Sequence, residues 1–268
     1  MRPHWEGVTF FPFARLIYDT RATLTRKEVA EPPRMSRRKF LVGAGVATAG
    51  FAVGYAAKSL NFPFSEPSES APSTPDEALA MLARGNQRFA AGGSIHPNQS
   101  VQLRQSLVSG QAPWAAVLSC IDSRAPPEII FDRGLGDIFV SRTAGQVIDA
   151  AVQGSLEYTV EEAGVLLVMV LGHENCGAVK ATISALQGSG HAPGEIDALV
   201  QAIKPAVQSA SGESGDLLDN SVRANIQLEV QALKTNSEII ASAVDSGALK
   251  LVGAYYGLDT GLVSVITQ

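Results

Sequence analysis

Four short apolar runs decide what this 268-residue chain can fold into. Trp114–Ser119, Asp137–Ser141, Val165–Gly172 and Leu249–Tyr255 are each of strand length, and the third reads VLLVMVLG with no polar side chain. Runs without polar alternation belong to strands buried on both faces, so the expected class is α/β, with a mostly parallel central sheet flanked by helices. Helical spacing over Ala150–Glu162 and Ser221–Val244 supplies the covering layer, the second stretch carrying Ile226, Val230, Leu233, Ile240 and Val244 on one side. Another helix opens at the cap sequence Ser73/Thr74-Pro75-Asp76-Glu77, with Leu79, Leu82 and Phe89 as its stripe. Gly188–Gly194 reads as a loop. Tyr256–Gly261 (YGLDTG) has the turn chemistry of a hairpin leading to a last short strand, Leu262–Ile266.

The chain ahead of this pattern has a different character. Residues 1–57 carry a net charge of +5 and the remainder −10, so no basic stripe is left on the folded part and nucleic-acid binding is excluded. From Met35 the sequence reads MSRRKFLVGAGVATAGFAVGYAAK: Ser36, twin arginines Arg37 and Arg38, then an apolar run that holds four glycines and stops at Lys58. The run is short and weakly hydrophobic for the ~20 residues of a stable membrane helix. Residues 35–57 therefore resemble a twin-arginine export signal. The expectation is export to the periplasm or a thylakoid lumen through the twin-arginine machinery, with a membrane tether only if the signal stays uncleaved. Such signals sit at an N-terminus, so residues 1–34 are expected to be an upstream extension, with Met35 as the start. Asn61–Pro75 holds four prolines and four serines, which makes 58–73 a linker and 74–268 the catalytic domain.

The chemistry gathers where strands end. Cys120 follows the first strand in the sequence SCIDSR, and His173 and Cys176 follow the third in GHENCG. Ligand sites of parallel α/β sheets form at the C-terminal ends of strands. Two thiolates and an imidazole brought together there make a soft donor set that suits zinc and leaves a fourth position for water, substrate or the carboxylate of Asp122. A Cys120–Cys176 disulfide is the competing reading for an exported protein, but it leaves His173, Asp122 and Arg124 without a role. Redox chemistry is disfavoured by the 56 positions between the cysteines.

The segments CIDSRAPPEIIFDRGLGDIFVSRTAGQ, GSLEYTVEEAGVLLVMVLGHENCGAV and GAYYGLDTG together resemble the β-class carbonic anhydrases, over most of 74–268. The resemblance implies one zinc ion per chain, held by Cys120, His173 and Cys176, and reversible hydration of carbon dioxide to bicarbonate and a proton by attack of zinc-bound hydroxide. It makes Asp122 and Arg124 the active-site dyad: Arg124 would hold Asp122 as a carboxylate that orients the hydroxide, and Asp122 could close on zinc as a fourth ligand. It implies substrate contacts from Gln111, Phe139 and Tyr158, the last from a neighbouring subunit, and hence a homodimer or homotetramer. Two alternatives share the scaffold: hydrolysis of carbonyl sulfide or carbon disulfide, and a catalytically silent zinc- or bicarbonate-binding protein.

The sequence departs from the family pattern at Ile121, Gln146 and the pair Glu174-Asn175. Of these, Glu174 is expected to matter most, either by adding negative potential beside the metal or by pointing into solvent. Gly145, Gly172 and Gly177 are expected to serve tight turns and close approach. His96 and His191 read as solvated loop side chains, and His4 falls in the extension.

Overall fold

A computed structural model describes residues 69–188 and 190–267. The twin-arginine segment, the extension before it and most of the proline-rich stretch lie outside the described residues. Among those described, no helix is long and apolar enough to cross a membrane.

Five strands make one sheet: β1 (Ala115–Cys120), β2 (Ile138–Thr143), β3 (Leu167–His173), β4 (Lys250–Tyr256) and β5 (Val263–Thr267), in the order β2-β1-β3-β4-β5. The first four in that order run parallel and β5 pairs antiparallel to β4. All five expected strands are present, each displaced by one or two residues at its ends. The apolar runs are explained by the two cores they feed. Ala116, Leu118, Cys120, Val168 and Val170 face one core, while Ala115, Val117, Leu167, Met169 and Leu171 face the other. Both sides of β1 and β3 are buried, so neither strand can alternate with polar residues.

The helices are α1 (Pro75–Ala90), α2 (Val101–Ser106), α3 (Pro127–Ile130), α4 (Ala150–Glu161), α5 (Gly177–Gln187), α6 (Ile196–Ala210), α7 (Leu217–Asn236) and α8 (Glu238–Asp245). Helix α1 starts as its sequence dictates. The Thr74 hydroxyl accepts the Glu77 N–H at 3.2 Å, and the Glu77 carboxylate accepts the N–H and hydroxyl of Ser73 at 2.8 and 2.7 Å, leaving few of the first donors unsatisfied. The single helix expected over 221–244 is two. Ser237 interrupts it with extended backbone and caps α8 by accepting the Ile240 N–H at 3.2 Å, and the apolar spacing continues across the break, which hid it. Helix α6, with Pro205 inside it, fills a stretch the sequence left unassigned.

The domain also begins earlier than Thr74. Glu69 is held by Arg133 at 2.9 Å, Arg84 at 3.4 Å and Arg88 at 3.5 Å, and the Arg133 guanidinium lies 5.6 Å from the centre of the Trp114 ring. The end of the proline-rich stretch is thus stapled to the fold by charge.

Helix α7 crosses the site side of the sheet. A Cβ on Gly172 would lie 2.6 Å from the Ile226 side chain, so glycine there is what lets α7 settle onto β3. The same helix buries Glu229, whose carboxyl is pushed up to about 7 by burial, with the Ile148 backbone N–H pulling the other way. A carboxyl raised in the folded state stabilises fully below its unfolded value and loses that contribution as pH rises through the folded one, here between 4.5 and about 7. The window corresponds to ~3 kcal/mol. Urea denaturation is expected to show stability falling across that pH range and Glu229→Gln to flatten the slope; an unchanged slope would contradict the assignment.

Candidate metal centre

Because β1 and β3 are parallel neighbours, their C-terminal ends emerge side by side and present Cys120 and His173 as their last residues. Three residues after His173, Cys176 stands at the start of α5. The turn between the ligands is short because Asn175 adopts φ of +53°, a conformation asparagine tolerates. The two sulfurs and the ligating nitrogen of His173 all lie within 4.8 Å of one another, and all three residues are buried.

The sulfurs are 4.0 Å apart, about twice a disulfide bond, and both cysteines are free. The disulfide reading is therefore set aside. The His173 ring is fixed by its Nδ1, which lies 2.7 Å from the Glu174 carbonyl oxygen. A carbonyl only accepts, so Nδ1 carries a proton, and Nε2, buried without a hydrogen-bond partner, is the nitrogen left for a ligand.

The charges around the cluster favour a cation. The Cys176 thiol beside it pulls Cys120 down, while Cys176, which keeps the proton of the pair, is pushed up by Cys120 and by burial. Burial pulls His173 down, but Cys120, the Glu174 carbonyl and Asp122 together raise it. A buried thiolate draws a proton or a metal ion, and sulfur and imidazole donors select zinc among the common divalent ions.

Asp122, two residues past Cys120, sits at the rim with Oδ2 3.9 Å from His173 Nε2. Arg124 grips it from outside: Nε reaches Oδ1 at 2.9 Å, Nη2 reaches Oδ2 at 2.8 Å, and the Arg124 backbone N–H reaches Oδ1 at 2.9 Å. These bonds hold the carboxyl well below the usual range, so it is ionised at any physiological pH.

Two supports escaped the sequence. Arg142 of β2 ties the Cys120 and Asp122 carbonyl oxygens at 2.9 and 2.6 Å, fixing the chain between ligand and carboxylate. Asn225 of α7 donates to the Gly145 carbonyl at 2.9 Å, and the Gly145 N–H donates to the Cys120 sulfur at 3.3 Å. A buried asparagine beside Ile226, among the few polar residues on that helix face, was the available signal. Gln146, adjacent, is buried with both side-chain polar atoms unpartnered.

The pocket residues divide. Phe139 and Tyr158 meet each other across a groove of about 420 Å³ between β2 and α4, which none of the cluster or dyad residues lines. Gln111 is exposed ahead of β1, in a shallow groove with Leu107, Val108 and Leu135, at the end of the sheet opposite Cys120. Glu174 neither faces the cluster nor points into solvent: its Oε2 accepts the Leu258 N–H at 2.9 Å and the Asp259 N–H at 3.4 Å, because the turn after β4 offers backbone donors at that height. Ile121 is exposed, as is His96, and His191 pairs with Asp197 at 3.1 Å.

Against this geometry, a family model described as carbonic anhydrase matches residues 115–263. Carbonic anhydrase 2 of Mycobacterium tuberculosis is 42% identical over 187 residues, 70% of this chain and 90% of that protein. The chain belongs to the carbonic anhydrase family. The Mycolicibacterium smegmatis carbonic anhydrase is likewise 42% identical, over 72% of this chain and 94% of its own. Membership of the β class follows from structure: the Coccomyxa β-carbonic anhydrase, solved in complex with acetazolamide, superposes with a TM-score of 0.55 at 26% identity, covering 73% of this chain and 87% of that one. The family match spans β1 to β4 and stops at the first residue of β5, so it covers the whole of the cluster and its supports.

The glycines near the cluster make a paired test. Gly145 has φ of +68°, and a Cβ there would lie 2.7 Å from Ile203 Cδ1 and 3.1 Å from Ala178 Cβ, whereas a Cβ on Gly177 would meet nothing within 4 Å, contrary to the expected close approach. Gly145→Ala is expected to lower stability by ~1–3 kcal/mol in thermal denaturation, and Gly177→Ala to be neutral within ~1 kcal/mol. Equal effects would contradict the geometry.

Proposed function

We propose that the chain is a zinc enzyme that reversibly hydrates carbon dioxide to bicarbonate and a proton, with Cys120, His173 and Cys176 as the zinc ligands. The observation that carries this reading is the partnerless Nε2 of His173 beside two free sulfurs, with an ionised carboxylate 3.9 Å away. Two thiolates would match the charge of a divalent ion, so the donor set fits the group. Zinc bound there supplies a Lewis acid that makes water nucleophilic near neutral pH.

The residues of the chain set the geometry of attack. Asp122 Oδ2 accepts one hydrogen bond from a water entering the cluster and so fixes the direction of the water's lone pairs. Arg124 keeps that carboxylate ionised and turned to the rim, and Arg142 keeps the backbone beneath it from shifting. A closed form with Asp122 as fourth ligand requires release of three hydrogen bonds to Arg124, which this structure has in place.

The oligomer reading has surface support. Helix α2 buries none of its residues, Val108 after it is 86% exposed, and Tyr158 is 60% exposed. Gln111, Phe139 and Tyr158 are read as contributing to a site across such an interface, in a dimer or tetramer of this chain. Export rests on Ser36, Arg37, Arg38 and the apolar run that follows them to Ala57. Replacing Arg37 and Arg38 together by lysine is expected to retain the protein in the cytoplasm on cell fractionation, and undiminished export would contradict the signal.

The test of activity is stopped-flow hydration of carbon dioxide by protein whose zinc has been measured. About one zinc per chain and fast hydration are expected, with Asp122→Asn retaining zinc and losing at least ~100-fold in kcat/KM. Zinc-loaded protein without hydration would contradict the proposed reaction.

A further inference from the structure

Glu174 stands between two of the proposed ligands, where the resemblance led us to expect a small residue, and it is bonded at every polar group. Its N–H donates to the Tyr256 carbonyl at 2.9 Å, and its own carbonyl accepts the His173 Nδ1–H at 2.7 Å. Its carboxylate takes the Leu258 and Asp259 N–H groups on Oε2 and the Asn175 amide on Oε1 at 3.3 Å. One residue thus joins the imidazole to the turn after β4.

That turn is itself well held. The Gly257 N–H donates to the Leu262 carbonyl at 2.9 Å, and the Gly261 N–H to the Gly257 carbonyl at 3.0 Å. Asn86, buried on α1, donates to the Gly261 carbonyl at 2.8 Å and accepts the Val263 N–H at 2.8 Å. The Glu174 carboxylate therefore grips a segment anchored to a helix on the far side of the sheet, not a free loop.

Any residue at 174 brings the carbonyl that meets His173, but a side chain long enough to place an acceptor on the Leu258 and Asp259 N–H groups ties that residue to the turn after β4. Without the carboxylate, residue 174 keeps its N–H bond to Tyr256 in the preceding peptide, but the peptide that bears the carbonyl is left with the His173 bond, next to a residue with positive φ. Rotation there would turn the carbonyl and let the imidazole swing.

We propose that Glu174 is a positioning residue for His173: by holding the turn after β4, its carboxylate locks the carbonyl that orients the imidazole, keeping Nε2 aimed at the two sulfurs. This rests on the zinc reading above. Partners of this kind, one shell out from a metal, typically change metal affinity by about 10- to 100-fold.

The test compares wild type with Glu174→Ala, Glu174→Gln and Thr260→Ala. Thr260 accepts the Leu262 N–H at 3.2 Å, so its loss loosens the same turn without touching Glu174. Three quantities are read: zinc affinity by chelator competition, the His173 Nδ1–H signal by nitrogen-15 NMR, and melting temperature. Glu174→Ala is expected to weaken zinc at least about tenfold and broaden or split the His173 signal. Glu174→Gln, which keeps an acceptor for Leu258, should recover most of the affinity, and Thr260→Ala should lower the melting temperature alone. Should Glu174→Ala fail to fold, Glu174→Asp, which withdraws the carboxylate by one methylene, carries the same comparison. Wild-type affinity and an unchanged His173 signal in the alanine (or aspartate) variant, or equal zinc loss in Thr260→Ala, would overturn the proposal. Wild-type protein that binds no zinc would overturn the zinc reading first and this proposal with it.

Discussion

Burying two sulfurs and an imidazole within 4.8 Å of one another is costly, because a thiolate away from water needs a counter-charge. The fold supports that cost by geometry laid down in the sheet. Parallel pairing of β1 with β3 brings two of the donor residues to the same edge, and the two-residue turn to α5 adds the third. The continuous apolar character of those strands makes their ends rigid enough to hold the donors in place. The same burial that stabilises the sheet therefore creates the electrostatic demand that a divalent cation answers.

Around the cluster, three backbone contacts pass position inward from different elements. Arg142 reaches across from β2 to the carbonyls on either side of Ile121, Asn225 descends from α7 to the Gly145 peptide that donates to Cys120, and Glu174 links the His173 ring to the turn after β4. Each ligand except Cys176 thus has its own support, and Cys176 is fixed by the start of α5. Such outer contacts set the basicity and aim of the donors. Asp122 is the exception in kind: its carboxylate is restrained from the surface, by three hydrogen bonds from Arg124.

What the sequence made legible was whatever obeys one local rule. Strands buried on both faces announce themselves by unbroken apolar runs, and Cys120, Asp122, Arg124, His173 and Cys176 follow strand ends directly, so they came together as expected. The break at Ser237 stayed hidden because the apolar spacing on either side kept a common phase. Arg142 and Asn225 act on backbone carbonyls far away in sequence, through pairing register and helix placement, which no local pattern encodes. Glu174 was visible as an unusual residue, but the direction of its side chain depended on where the turn after β4 lands. Gln111, Phe139 and Tyr158 were placed by resemblance, and a single chain does not bring them to the cluster.

The central claim, that Cys120, His173 and Cys176 bind zinc, is tested most directly by zinc-edge X-ray absorption on the purified protein. The account predicts two sulfur scatterers at about 2.3 Å and nitrogen or oxygen scatterers at about 2.0–2.1 Å. A shell of nitrogen and oxygen alone, or zinc-free protein with Cys120 and Cys176 joined in a disulfide, would contradict it.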